Sequence, residues 1–285
     1  MSSIAIVTDS DSSLPRELAE ANGIRQVPIN IHFGEETFRT EIDITDVALF
    51  ERVDHDKALP TTSAPSPGQF ADTFRAALAD GADHIVCICV SGEISGTYNA
   101  ALLAVDLMPE GTVTVVDSRA ISMGQGFMAL EAAAAARDGA GVEEILARME
   151  SVHERTTLYA GLATLKYLAM SGRVGQLAAG MASLLNIKPV LTMKDGKLDM
   201  LEKVRTRKKS WARMIELVAE GLGGASAEHL AVVHVNALDM ARAFDTQLRA
   251  TVDCPPETLF VEFTAGLSVH TGPGMIAVVT VAAEA

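Results

Sequence analysis

The chain has 285 residues, 48% apolar and only 5% aromatic, enough to bury the aliphatic core of one large or two ordinary domains. Its formal net charge of −14 excludes nucleic acid as the main partner, because neutralising phosphates needs a net basic face. Its three cysteines make no disulfide framework, and it shows neither a leader-like start at Met1 nor an apolar run long enough to span a bilayer. The expectation is a cytoplasmic protein with no stable membrane insertion.

In chain order, Ile4 to Val7 reads as a buried strand ending in Thr8-Asp9-Ser10. Ser13 is placed to cap a helix with Pro15 in its first turn, closed at Gly23. Ile24 to Phe33 alternates and predicts a strand half exposed or at a sheet edge, followed by a turn at Gly34 and a short helix starting near Thr45. Pro60 to Gln69 cannot be regular structure through its first half, a Pro-rich loop carrying Thr61, Thr62 and Ser63. Ser66 and Gln69 have capping-box spacing, with Pro67 at the first helical position, and the helix that follows carries Phe70, Phe74 and Leu78 as far as Gly81.

The stretch from His84 to Leu103 organises the first half. Ile85 to Val90 has the length of a strand buried on both faces, with Cys87 and Cys89 as small core residues on one side. The chain then breaks into Ser91, Gly92, Ser95, Gly96 and Thr97 and resumes at helical spacing through Tyr98, Leu102 and Val105. Ser95 is expected near the N-cap, where free amides and the helix dipole favour an anionic group. A second buried strand, Val113 to Val116, ends in Asp117-Ser118. Helices follow from about Ile121 to Arg137 and from Val142 to about His153. Alternating strands and helices imply a mostly parallel sheet, which binds ligands beyond the C-terminal ends of its strands.

The second half changes character. Strands are expected at Leu158 to Ala163, His229 to Val235, Leu259 to Phe263 and Met275 to Ala282, and Asp195-Gly196 marks a hairpin within Val190 to Leu201. Helical pieces are expected through Tyr167 and Leu184, interrupted at Ser171 to Gly175, with longer helices from Thr206 to Gly221 and Asp239 to Thr251. The expected fold class is therefore α/β in two domains, an N-terminal one over 1–153 and a C-terminal one over 154–285.

Three constellations can carry chemistry. Thr61, Thr62, Ser63, Ser95 and Thr97 are hydroxyls, which both donate and accept and so suit a carboxylate without adding charge. His270 lies in Ser268-Val269-His270-Thr271-Gly272-Pro273-Gly274, read as a Gly/Pro-rich loop, where it can meet an anion as imidazolium or donate one hydrogen bond when neutral. Lys203, Arg205, Arg207, Lys208, Lys209 and Arg213 form a basic island in an acidic chain, a docking face for an acidic partner if not simply a solvated one. No metal-ligand spacing and no phosphate-binding glycine fingerprint is present, so no metal and no cofactor is expected. A serine hydrolase using Ser95, His270 and Asp9 or Asp117 stays open, although SGEISG is not the G-x-S-x-G elbow. A ligand-free interaction protein stays open too.

Taken together the motifs resemble the DegV family, which contains the fatty-acid-binding B subunits of bacterial fatty acid kinase. The resemblance runs through Val7-Thr8-Asp9-Ser10, Thr61-Thr62-Ser63 with Pro65-Ser66, Ile94 to Tyr98, and Val116-Asp117-Ser118. It continues in Leu165 to Val174, Leu185 to Pro189, Lys203 to Thr206 and His270 to Gly274. It implies a two-domain DegV-like fold holding one long-chain fatty acid, such as palmitate, in a tunnel between the domains. The carboxylate would be held by Thr62 and Ser95, with Thr61, Thr97 and His270 close by. The chain would not itself be the catalyst: a separate ATP-dependent kinase subunit would convert the bound carboxylate to an acyl phosphate for phospholipid synthesis, with Arg173 and Arg205 meeting that kinase. One departure is Gly92-Glu93, where many relatives carry a serine and an uncharged residue. Glu93 is expected to face solvent.

Overall fold

The computed structural model describes residues 3–56, 58–173 and 187–284. In chain order, β1 (Ile4–Asp9) leads through one 3-10 turn (Ser10–Ser12) to α1 (Arg16–Ala21), β2 (Ile24–Val27), β3 (Asn30–Phe33), β4 (Glu36–Arg39) and α2 (Asp46–Asp56). Then come β5 (Thr61–Ser63), α3 (Pro67–Ala79), β6 (His84–Cys89), α4 (Thr97–Val105), β7 (Val113–Asp117), α5 (Met123–Arg137) and α6 (Val142–Arg155). The remainder comprises β8 (Thr156–Gly161), α7 (Lys166–Met170), β9 (Lys188–Lys194), β10 (Lys197–Val204), α8 (Arg207–Leu222), β11 (Ala227–His234), α9 (Leu238–Arg249), β12 (Leu259–Glu262), α10 (Ala265–Thr271) and β13 (Ile276–Ala282). The chain forms two compact units, one of residues 1–43 and 62–154 and the other of 44–61 and 155–285.

The first unit is built on a four-stranded, wholly parallel sheet in the order β2-β1-β6-β7. Period-two alternation in β6 sends Ile85, Cys87 and Cys89 to the face covered by α3 and α4, where they pack with Phe70, Phe74, Ala101 and Ala104. Burying Phe70 and Phe74 completely stabilises this layer by about 2–3 kcal/mol each. The opposite face meets α5. The α3 capping box forms as its spacing predicts: Gln69 N donates to Ser66 Oγ at 3.2 Å, and Ser66 N donates to Gln69 Oε1 at 2.8 Å.

Several expectations are corrected. Ile24 to Phe33 is not one strand: Pro28 has no N–H to give a ladder, and the chain leaves the parallel sheet there to begin the small β4-β3-β5 sheet, in which β3 and β4 run antiparallel. Thr61 to Ser63 is thus a short strand of that sheet rather than irregular loop. Ser13 closes the 3-10 turn in a left-handed conformation (φ 51), and Pro15 stands at the N-cap of α1 without a side-chain cap. Helix α5 begins at Met123 because Ser122 sits at φ 54 with its N–H donated to Asp11 O at 2.8 Å.

The second unit holds a six-stranded sheet in the order β10-β9-β8-β13-β11-β12, in which only β11 and β12 run parallel. Its β9–β10 hairpin turns on Asp195 (φ 50) and Gly196 (φ 75), the two positive dihedrals that a type I′ turn requires. Helices α8 and α9 seal a core of Trp211, Met214, Val218, Phe244 and Val278, with the Trp211 and Phe244 rings edge to face at 5.7 Å. Thr206 caps α8 by accepting from Lys209 N at 3.3 Å, and Gly223 closes it at φ 59. Helix α10 packs on α7 and α2, and the Phe50 ring meets Tyr167 edge to face at 6.4 Å. The helical pieces expected through Leu184, with Val174, Leu185 and Asn186 of the motifs above, lie outside the described residues.

Candidate functional site

In the first unit the polar chemistry gathers at the C-terminal edge of the parallel sheet, where β1, β6 and β7 end together. Two carboxylates fix the loop that follows β6. Asp9, fully buried, accepts from Asp11 N at 2.9 Å through one oxygen and from Val90 N at 2.8 Å and Gln125 Nε2 at 3.1 Å through the other. Burial outweighs these three hydrogen bonds and lifts its pKa to about 6. Asp117, at the end of β7, receives Gly92 N on both oxygens at 3.2 Å and Arg119 N at 2.9 Å. A Cβ on Gly92 would lie 3.0 Å from Asp117 Oδ2 and 3.2 Å from the Tyr98 ring, so glycine permits this close approach.

The loop is tied on its other edges too. Ser91 N donates to Ala120 O at 3.0 Å, and Ser91 O accepts from Ile94 N and Ser95 N at 3.2 and 3.1 Å. Ser95 is delivered half-buried, one residue before the N-cap position, which Gly96 occupies. Its Oγ lies 2.8 Å from Thr97 Oγ1 and accepts from Thr97 N at 3.3 Å, with Thr97 fully buried beneath it. Glu93 is exposed, as expected. Thr62 and Ser63 belong to the same unit; Ser63 Oγ bonds His32 Nε2 at 2.8 Å, whose Nδ1 reaches Thr37 Oγ1 at 2.9 Å.

Within its own unit Ser95 bonds a hydroxyl rather than a base. Within the first unit the hydrogen-bond partner of Ser95 is Thr97; of its three histidines, His32 is engaged with Ser63 and Thr37, His84 with Thr114, and His153 lies half-buried in α6; Asp9 holds backbone amides and an amide side chain. What the edge offers is hydroxyls at the end of a parallel sheet, on a loop held by the buried carboxylate of Asp9 and the half-buried one of Asp117.

The second unit contains Thr61, Arg173, Arg205 and His270. Thr61 and Arg205 are exposed. His270 is not in a loop but in the last turn of the seven-residue α10, and Gly272 ends that helix at φ 75, ψ 169. A Cβ at Gly272 would fall 2.2 Å from two Tyr167 ring carbons, so only glycine fits between α10 and α7. Burial, and then the nearby Arg173 charge, push the His270 imidazole down to about 4, leaving it neutral at pH 7 with one donor and one acceptor nitrogen. Arg173 Nη1 donates to Ser171 O at 2.8 Å after a turn through Gly172 (φ 76). The basic island is smaller than its sequence suggests, since Arg213 is shared among Glu202, Glu216 and Glu220.

Gln125 was not among the residues the sequence singled out. Its Nε2 bonds Thr8 Oγ1, Asp9 Oδ2 and Ile88 O at 2.9, 3.1 and 3.1 Å, and nothing in the spacing of an alanine-rich helix signals that role. Among the described residues no group of His, Cys, Asp or Glu is placed to hold a metal ion, and no helix is long and apolar enough to cross a membrane.

Comparison with known proteins covers nearly the whole chain. A family model described as "Uncharacterised protein, DegV family" matches residues 3–283. A DegV domain-containing protein of Streptomyces coelicolor is 38% identical over 276 residues, 97% of each chain. A DegV family protein from Thermus thermophilus, whose structure is described for its fatty acid binding, superposes with a TM-score of 0.91 at 34% identity over 98% of this chain and 99% of its own. DegV of Bacillus subtilis, described as a fatty acid binding protein, gives a TM-score of 0.90 at 30% identity over 99% of this chain and 100% of its own. The chain belongs to the DegV family.

Proposed function

We propose that this protein binds one long-chain fatty acid non-covalently, with its carboxylate on the hydroxyls of Thr62 and Ser95 and with Thr61, Thr97 and His270 beside it. The observation that carries the reading is the Ser95–Thr97 hydroxyl pair, Ser95 half-buried over a buried Thr97 at the sheet edge, held by clamped backbone and without a basic hydrogen-bond partner in its own unit among the described residues. Such a pair binds and orients an oxyanion but does not attack one. Fatty acid binding by similar proteins supports the ligand class. A neutral His270 adds a hydrogen bond without fixing a positive charge in a buried place. The acyl chain supplies the affinity, at about 0.8 kcal/mol per buried CH₂ less ordering costs, and the head group needs only positioning.

In this reading the protein is a carrier and not the catalyst. The carboxylate is presented to a separate ATP-dependent kinase subunit that forms the acyl phosphate, and Arg173 and Arg205 meet that subunit. The test is lipid occupancy of Ser95→Ala and Thr62→Ala, read by extraction and mass spectrometry on protein whose circular dichroism matches the parent. Both variants should emerge with fatty acid depleted at least tenfold; full occupancy in both would refute the carboxylate assignment. Covalent labelling of Ser95 by a fluorophosphonate would support the hydrolase reading instead.

A further inference from the structure

A hollow of about 200 Å³ opens within the second unit beside the first turns of α8. Gly161, Lys188, Arg207, Ser210, Trp211 and Met240 supply its walls. Three independent features coincide there. Two cations reach the hollow, and among the described residues neither pairs with a carboxylate, although the chain carries 37 acidic residues against 23 basic ones. Lys188 Nζ gives one hydrogen bond to Ala163 O, and the Arg207 guanidinium lies 5.4 Å from the centre of the Trp211 ring with Nη1 3.4 Å from Met240 Sδ.

The second feature is a hydroxyl. Ser210 is 2% exposed and its Oγ has no hydrogen-bond partner among the described residues. It faces Gly161, where a Cβ would come within 2.6 Å of that oxygen, so the absent side chain and the unsatisfied hydroxyl share one space. A buried hydroxyl without a partner is unfavourable, and a ligand oxygen removes that penalty. The third feature is the start of a sixteen-residue helix, whose dipole favours negative charge within its first turn.

We propose that this hollow is a binding site for a small phosphomonoester with a short apolar tail. A phosphate dianion presents three terminal oxygens, matching two cations and one hydroxyl, whereas a carboxylate has one charge and two oxygens. The tail lies on the Trp211 ring and Met240, and the volume admits a few carbons but neither a nucleotide nor a long acyl chain. None of these residues is among those assigned above to the fatty acid carboxylate.

Trp211 is the only tryptophan in the chain, so its fluorescence reports this hollow alone. The full-length protein would be titrated at low ionic strength with butyl phosphate, butyrate and butanol, reading the midpoint rather than the amplitude. Butyl phosphate should give a saturable change that weakens with salt, butyrate should bind more weakly and butanol should give no saturation. Arg207→Gln and Lys188→Gln should each raise the midpoint roughly tenfold or more, and Ser210→Ala about threefold or more, while Ser95→Ala leaves it unchanged. No saturation below about 10 mM butyl phosphate, midpoints unmoved in both cation variants, or equal midpoints for butyrate and butyl phosphate would overturn the proposal. Because Ser95→Ala is read in parallel for lipid occupancy, failure here and failure of the fatty acid reading are separable.

Discussion

Gly272→Ala should destabilise the second unit by about 4 kcal/mol, although it adds only a methyl group. Gly272 sits at φ 75, ψ 169, a region essentially confined to glycine, and forcing alanine into it costs about 1–3 kcal/mol. The new Cβ would also lie 2.2 Å from two ring carbons of Tyr167, and such overpacking adds about 1–3 kcal/mol. Tyr167 cannot yield without disturbing its edge-to-face contact with Phe50 at 6.4 Å, worth about 1 kcal/mol. The two contributions separate in a double-mutant cycle with Tyr167→Ala, which removes the obstacle and leaves the dihedral strain. The pair should then be about 2 kcal/mol more stable than the sum of the single losses. Urea unfolding at pH 7, followed by Trp211 fluorescence in the same unit, measures all three variants. Gly272→Ala within about 1 kcal/mol of the parent, or strictly additive losses, would refute the reasoning.

Three further outcomes follow from the buried polar groups. The His270 pKa falls from 6.5 to about 4, so its contribution to stability is complete above pH 6.5 and is lost by roughly 3 kcal/mol as pH falls to 4; His270→Gln should flatten that part of the profile, and parallel profiles would contradict it. Asp9 acts with the opposite sign: its pKa rises from 3.8 to about 6, so its contribution is complete below pH 3.8 and is lost by roughly 3 kcal/mol as pH rises to 6. Asp9→Asn should therefore gain on the parent between pH 4 and 7 whatever its constant offset, and a pH-independent difference in unfolding free energy would rule this out. Ser95→Ala removes a half-buried hydroxyl, its 2.8 Å hydrogen bond with Thr97 Oγ1 and the long one it accepts from Thr97 N, so it should cost about 1–2 kcal/mol in urea unfolding; a loss of about 4 kcal/mol or more would mean Ser95 is structural.

The parts of this fold that could be read from the sequence are those fixed by neighbours in the chain. The buried run of β6, the small-residue break after it, the Ser66–Gln69 capping box and the Asp195-Gly196 turn are local devices, and each forms at its expected place. What escaped depends on distant packing. The three residues of β5 become a strand only because β3 lies beside them, and 44–61 groups with a unit whose remaining residues begin at Arg155. Helix α10 carries two glycine-flanked turns that read as loop, yet contacts with α7 and α2 and the Ser268 Oγ bond to Phe263 O at 2.6 Å hold it helical and set His270 on its last turn. Asp9 and Asp117 were visible as polar strand ends, and their work as clamps on Val90 and Gly92 emerges only from the parallel order β1-β6-β7.

The most direct test of the fatty acid reading is native mass spectrometry of freshly purified protein, followed by denaturation and lipid extraction. The account predicts a mass excess of one long-chain fatty acid, released on denaturation and recovered in the lipid extract. A mass equal to that of the bare chain, unchanged after incubation with palmitate and oleate, would contradict it.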